Sequence, residues 1–184
     1  PENSELKIIE KNAFGNCSLM EFRIPSSVEE LKDGWCANTH FGEVTIDEKN
    51  KYYKKYEEDD NLIIGKSDKN CDVYDVLVYA DRNIKTINIP SFIKKIASFA
   101  FYGSSLENVF IPSHITQIGL SCFSQCKKIQ KVEFESNSNL EKIERFVFCG
   151  CTFTEISIPS SVIKIGENAF ANCVFLQNIE FSQN

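Results

Sequence analysis

The sequence predicts a repeat solenoid, rich in β-strand with short helical turns, and three observations lead there. The phrase Ile-Pro-Ser occurs four times, at Ile24-Pro25-Ser26, Ile89-Pro90-Ser91, Ile111-Pro112-Ser113 and Ile158-Pro159-Ser160. A small or branched residue precedes Phe at Ala13-Phe14, Ala100-Phe101, Cys122-Phe123, Val147-Phe148 and Ala169-Phe170. The positions Ile89, Ile111, Phe134, Ile158 and Phe181 are separated by 22, 23, 24 and 23 residues. A constant period in this range means stacked units that bury a core only against one another.

Each unit divides into three pieces. The first is a strand such as Leu106-x-x-Val109-x-Ile111, whose alternation sends apolar side chains to one face. Proline follows in four units and ends regular pairing by removing a backbone donor. The second piece is a short extended segment such as Val162-x-x-Ile165, closed by Gly at Gly119 and Gly166. The third, as in Glu167-Asn168-Ala169-Phe170-Ala171-Asn172, is a tight turn or single helical turn with Phe filling the space between coils. Burying each such side chain contributes about 1.5–3 kcal/mol.

This register places strand centres at Phe22/Ile24, Val44/Ile46, Ile87/Ile89, Val109/Ile111, Val132/Phe134, Ile156/Ile158 and Ile179/Phe181. Seven strands at about 4.8 Å would give a parallel sheet roughly 30 Å long. One interval is too long for a single unit, since Ile46 to Ile89 is 43 residues. The excess, residues 47–83, reads as an inserted β-hairpin island within one solenoid domain spanning 1–184. It holds the charged run Lys49–Asp60, expected to be a solvated face, and strand candidates at Leu62–Ile64 and Val73–Tyr79 around a turn-rich Gly65–Asn70.

A net charge of -6 argues against nucleic acid, which calls for clustered cations. No apolar run approaches the roughly 20 residues of a membrane helix. Pro1 opens no secretory leader, and both Asn3-Ser4-Glu5-Leu6 and Phe181–Asn184 read as cut from a longer array. Four cysteines, Cys17, Cys126, Cys151 and Cys173, fall three residues after a repeat Phe and are expected to form a ladder of buried thiols. Cys36, Cys71 and Cys149 fall off that ladder and are expected to be more exposed. No zinc spacing, phosphate loop or Cys–His pairing stands out around His40 and His114, so neither metal, cofactor nor catalytic residues are expected.

The composite phrase Leu-x-x-Ile-x-Ile-Pro-x-x-Val-x-x-Ile-Gly-x-x-Ala-Phe-x-x-Cys resembles the BspA-like leucine-rich repeat, found on surface proteins of host-associated bacteria and mucosal protozoan parasites. Val44-Thr45-Ile46-Asp47-Glu48 and Phe134-Glu135-Ser136-Asn137-Ser138 share in the resemblance, which covers essentially the whole chain. Trp35-Cys36 stands where Ala-Phe is expected, and Ser104 where Cys is expected. The resemblance implies a right-handed solenoid with a concave parallel sheet, placed at the cell surface or secreted. It further implies adhesion to a protein ligand, such as host extracellular matrix or a cell-surface receptor.

Alternation assigns the outward face of the sheet, and with it the candidate binding residues, to Arg23, Thr45, Asn88, Asn108, Phe110, Lys131, Glu133, Glu155 and Ser157. Phe110 stands out because its equivalents are Arg23, Asn88, Glu133, Ser157 and Glu180, and exposed aromatics favour interfaces. A monomer is expected. The alternatives are a structural spacer that presents a distal domain, or an intracellular interaction scaffold with reduced cysteines.

Overall fold

A computed structural model describes residues 4–183, so Asn3 and Asn184, at the expected cut ends, lie outside the described residues. Fifteen strands follow in order: β1 Ile8–Ile9, β2 Ser18–Ile24, β3 Glu30–Leu31, β4 His40–Ile46, β5 Tyr53–Tyr56, β6 Asp59–Gly65, β7 Val76–Ala80, β8 Lys95–Ile96, β9 Asn108–Ile111, β10 Gln117–Ile118, β11 Lys131–Phe134, β12 Lys142–Ile143, β13 Glu155–Ile158, β14 Lys164–Ile165 and β15 Asn178–Phe181. Strands β9 and β13 carry the alternation read from sequence, with Val109 and Ile111 buried and Asn108 and Phe110 exposed, whereas on β15 all four residues, Ile179 and Phe181 included, are exposed. The two-residue strands form a second, shorter face of the coil.

The concave sheet is three parallel pairs, β2–β4, β9–β11 and β13–β15, and not one run of seven strands. The coil from Phe134 to Ile158 is the longest of the regular ones, 24 residues by number. Its surplus forms a turn at Glu135–Asn139 with Asn137 left-handed (φ 59°), which bonds back to Ser113 and interrupts the strand ladder. The expected strand around Ile87/Ile89 keeps its alternation but forms no ladder; a single bond from the Glu107 N–H to the Lys85 carbonyl, 3.0 Å, ties it to the next coil.

The expected helical turns are not helices. Among the described residues there is none, because each turn carries two left-handed residues four apart: Asn12 and Asn16, Gly34 and Asn38, Phe99 and Gly103, Ser121 and Gln125, Phe146 and Gly150, Asn168 and Asn172. Left-handed backbone halts a right-handed helix. It also aims alternate N–H groups along the solenoid axis. Phe99, Phe101 and Gly103 donate to the Leu120, Cys122 and Ser124 carbonyls of the next coil at 3.0, 3.0 and 2.9 Å, and the other regular coils repeat this. Gly119 allows the close stacking, since a Cβ there would lie 2.4 Å from the Ser98 backbone nitrogen.

Between β4 and β8 the chain behaves differently. β5, β6 and β7 pair antiparallel, and β7 continues parallel into β8 and β10. The run expected as a solvated face therefore supplies a strand, with Tyr53 buried. β6 and β7 are covered on both sides and divide the interior in two. Ile63, Val78 and Tyr79 face a first core built on Ile24, Trp35, Phe41 and Val44. Leu62, Ile64, Leu77 and Ala80 face a second that runs on to Ala169. A bulge at Ile63/Ile64 lets consecutive Val78 and Tyr79 turn to the same side.

The thiol ladder has a hydrogen-bonding rationale. Cys126, Cys151 and Cys173 donate to the carbonyls of Phe101, Phe123 and Phe148 at 3.0, 3.1 and 3.0 Å, and Thr39 does the same to Phe14. Cys17, expected as the fourth member, does not join them: it is only half-buried and turns to the Gly15 carbonyl of its own turn at 3.8 Å, and Cys173 is half-buried as well. Ser104 meets the Cys126 sulfur at 3.3 Å. Cys36 and Cys149, expected outside the packed interior, are buried, and only Cys71 is fully exposed. Cys36 occupies the inward position that Phe holds in other turns, while Trp35 takes up the released volume against Phe14, Phe22 and Phe41. Cys149 follows the ladder Phe148, where its N–H bonds back to Phe146 within the turn.

Candidate functional site

The outward face of the concave strands is the first surface to consider, because alternation leaves its side chains free. In register, Arg23 lies beside Thr45, Asn108 beside Lys131, Phe110 beside Glu133, Glu155 beside Asn178 and Ser157 beside Glu180. Thr45 is half-buried, and the other eight candidates are exposed. They do not form one patch. Arg23 is tied to Asp47 at 3.0 Å, and Asn88 sits on the segment without a strand.

Four of the candidates do converge. Lys131, Glu133, Glu155 and Ser157 line a groove of about 860 Å³ across β11, β13 and β15. The turns above and below complete it with Glu135, Ser136, Asn137, Ser160 and Ser161, and β15 adds Asn178 and Glu180. Sequence reasoning missed the turn residues. The signal was present in the 24-residue interval, since added residues in a repeat collect on one rim.

The groove's charge is lopsided. Lys131 pairs with Glu133 at 2.8 Å, which leaves Glu135, Glu155 and Glu180 without an ion-pair partner among the described residues. Glu135 accepts from the Ser113 N–H at 2.7 Å, and that bond holds its carboxyl below the usual carboxylate range. Hydroxyls and amides make up the rest of the polar lining, over the apolar Val132, Phe134, Ile156 and Pro159. Phe110, 48% exposed, stands one register position from the groove beside Glu133. Among the described residues no cluster of His, Cys, Asp and Glu could hold a metal ion. The buried thiols of Cys36, Cys122 and Cys151 are poor nucleophiles, since burial pushes Cys36 up to about 11 and the other two up as well.

A model of the BspA type leucine rich repeat region matches residues 2–96 and 66–177, with six copies in all. The chain belongs to the BspA-type leucine-rich repeat family. Three solved structures show the same solenoid. The pneumococcal vaccine antigen PcpA is 24% identical with a TM-score of 0.84, over 98% of this chain and 44% of that one. A leucine rich cell surface protein from Faecalibacterium prausnitzii is 26% identical with a TM-score of 0.67, over 100% of this chain and 53% of that one. A leucine-rich repeat protein from Eubacterium ventriosum is 18% identical with a TM-score of 0.62, over 95% of this chain and 52% of that one. This BspA-type chain thus spans about half the length of these relatives. No curated protein sequence matches it. Among the described residues no helix is long and apolar enough to cross a membrane.

Proposed function

We propose that this BspA-type chain is a non-enzymatic protein-binding module of a cell surface, whose concave face attaches to a host-cell or extracellular-matrix protein. The observation that carries the reading is the groove between β11, β13 and β15. Three carboxylates without ion-pair partners among the described residues line it together with hydroxyls and amides, and the exposed Phe110 stands beside it. Carboxylates on a curved wall suit cationic side chains of a protein ligand. An aromatic at the edge supplies desolvated contact area, the usual source of interface affinity. The description of the F. prausnitzii relative as a cell surface protein suits the placement.

Binding of the purified chain to intact epithelial cells tests this, alongside Phe110→Asp and a Glu155→Lys/Glu180→Lys pair. Saturable binding is expected, weakened about tenfold or more in each variant, since one good anchor is worth about 2 kcal/mol. Saturable binding that both variants retain would place the site elsewhere on the chain. No binding would favour the spacer reading. The eight free cysteines suit a reducing compartment and favour the intracellular scaffold as the second reading. A disulfide in protein recovered from its natural source would end it.

A further inference from the structure

The chain carries a net charge of -6, yet Lys49, Lys51, Lys54, Lys55, Lys66 and Lys69 fall within 21 residues. Folding gathers four of them. A groove of about 430 Å³ is lined by Lys49, Lys51, Lys66 and Lys69 with Tyr52 and Tyr74, against only two carboxylates, Glu48 and Asp72.

The charge in this groove is held in place. The Lys66 side chain is 7% exposed, and its ammonium stands 5.1 Å from the centre of the Tyr74 ring. Lys54 stands 5.0 Å from the same ring. The Tyr74 ring thus holds the Lys66 ammonium at the groove, while Lys54, which does not line it, reaches Glu57 at 3.4 Å. Among the described residues the only carboxylate on Lys66 is Asp72, at 2.9 Å and fully exposed. An incoming anion can replace Asp72 and return it to water without stranding a buried charge. Lys49 and Lys51 are exposed and take part in no ion pair among the described residues; Lys69 reaches Glu30 only at 3.4 Å.

We propose that this lysine–tyrosine groove binds a sulfated polysaccharide. Lysines act as point charges, which suit isolated sulfate groups along a sugar chain, and the groove has no arginine fork for bidentate phosphate or base recognition. Single-stranded nucleic acid would also need a free ring for its bases. Tyr74 has none to offer: its ring is taken by two ammoniums and its hydroxyl donates to the Lys51 carbonyl at 3.1 Å. This site does not depend on the concave groove, which carries the opposite charge.

The probe is a heparin oligosaccharide titrated into the purified chain near physiological salt, with N- and O-desulfated heparin and oligo-dT of equal charge alongside. Heparin is expected to bind, with affinity falling as salt rises. Desulfated heparin and oligo-dT are expected to bind at least about tenfold more weakly, a difference of about 1.4 kcal/mol. A Lys49→Glu/Lys51→Glu/Lys69→Glu variant should lose binding about tenfold or more, while Lys164→Glu, an exposed lysine on β14, should leave it unchanged. A Lys→Gln version of the triple variant should show the same order of loss, with a melting temperature close to the parent's. No heparin binding, equal binding of oligo-dT, or full affinity in a folded triple variant would overturn the proposal. Glu155→Lys/Glu180→Lys should leave heparin affinity undiminished, so failure of the concave-face reading and failure of this one are told apart.

Discussion

The two interiors on either side of β6 and β7 solve one packing problem in different ways. In the second, Phe101, Phe123, Phe148 and Phe170 stack face to face at 5.1, 5.7 and 5.6 Å, tilted from one another by 8°, 6° and 12°. In the first, Phe14, Phe22, Trp35, Phe41 and Tyr79 meet at angles from 27° to 89°. The ladder follows from identical turns at a constant period. The irregular cluster follows from Trp35-Cys36 replacing the usual pair, which puts a large ring where a small residue belongs. A repeat can therefore vary its core without losing its stacking, provided the left-handed turn positions Gly34 and Asn38 are kept.

The comparison can be broken most forcefully in the ladder. Phe123 is fully buried between Phe101 and Phe148, so Phe123→Ala should cost about 3–5 kcal/mol. Phe14 is only half-buried, and Phe14→Ala should cost roughly half as much or less. Urea unfolding of both variants checks the ratio; equal losses would mean that the two interiors are equally tight.

Next in size is the seam between them. Arg82 is 2% exposed and donates to the carbonyls of Ala100 at 2.8 Å, Phe99 at 3.2 Å and Ala80 at 3.4 Å. Its guanidinium lies 4.6 Å from the Tyr79 ring. No carboxylate pairs with it among the described residues, and its Nε is unpartnered. It stands in for the turn that β5 to β7 do not make. Arg82→Ala should therefore cost about 3 kcal/mol, mainly through the cavity left by a buried side chain and the loss of its hydrogen bonds to carbonyls that keep one backbone partner each at Ala100 and Phe99. Arg82→Lys should recover only part of that, because an ammonium cannot span carbonyls on two coils as a fork does. Urea midpoints of the two variants rank them.

Alkali should distinguish the interiors more finely. Burial pushes Cys36 up to about 11 and Tyr79 up to about 12, both in the first core. The unfolded chain loses these protons sooner, so the native state binds more protons above pH 9 and stability falls as pH rises. The Cys36 share is present in full below about pH 9, is lost between about 9 and 11, and amounts to about 2–3 kcal/mol. A Cys36→Ala variant should show a flatter stability curve over that window. The smallest effect is chemical: a thiol reagent on the native chain should modify Cys71 fast and the buried thiols only on unfolding.

Much of this was legible in sequence, because a repeat states its own rule several times over. The strand alternation, the inward Phe and the thiols of Cys126, Cys151 and Cys173 follow from residues at matched positions; Cys17, at a matched position too, stays off the ladder. Legibility ended where residues had no counterpart. The segment between Asp47 and Asn83 offers a single copy, so its charges suggested a solvated face while Tyr53, Ile63 and Leu77 recruited it into the interior. Candidate residues were assigned by alternation, which fixes the face a side chain points to but not which coils stay hydrogen-bonded. The groove's rim turns, Glu135–Asn137 and Ser160–Ser161, lay outside that rule.

Tension applied along a solenoid passes in series through each interface between coils. Between regular turns three backbone hydrogen bonds share that load. Where β7 meets the Phe99–Gly103 turn, one backbone bond, from the Ala80 N–H to the Ala100 carbonyl, takes the place of those three, with the Arg82 side chain to help it. Under tension this junction should part first, freeing the chain in two blocks instead of coil by coil, with the lysine groove on one block and the acidic groove on the other. Single-molecule pulling would register it as an early step that Arg82→Ala moves to lower force.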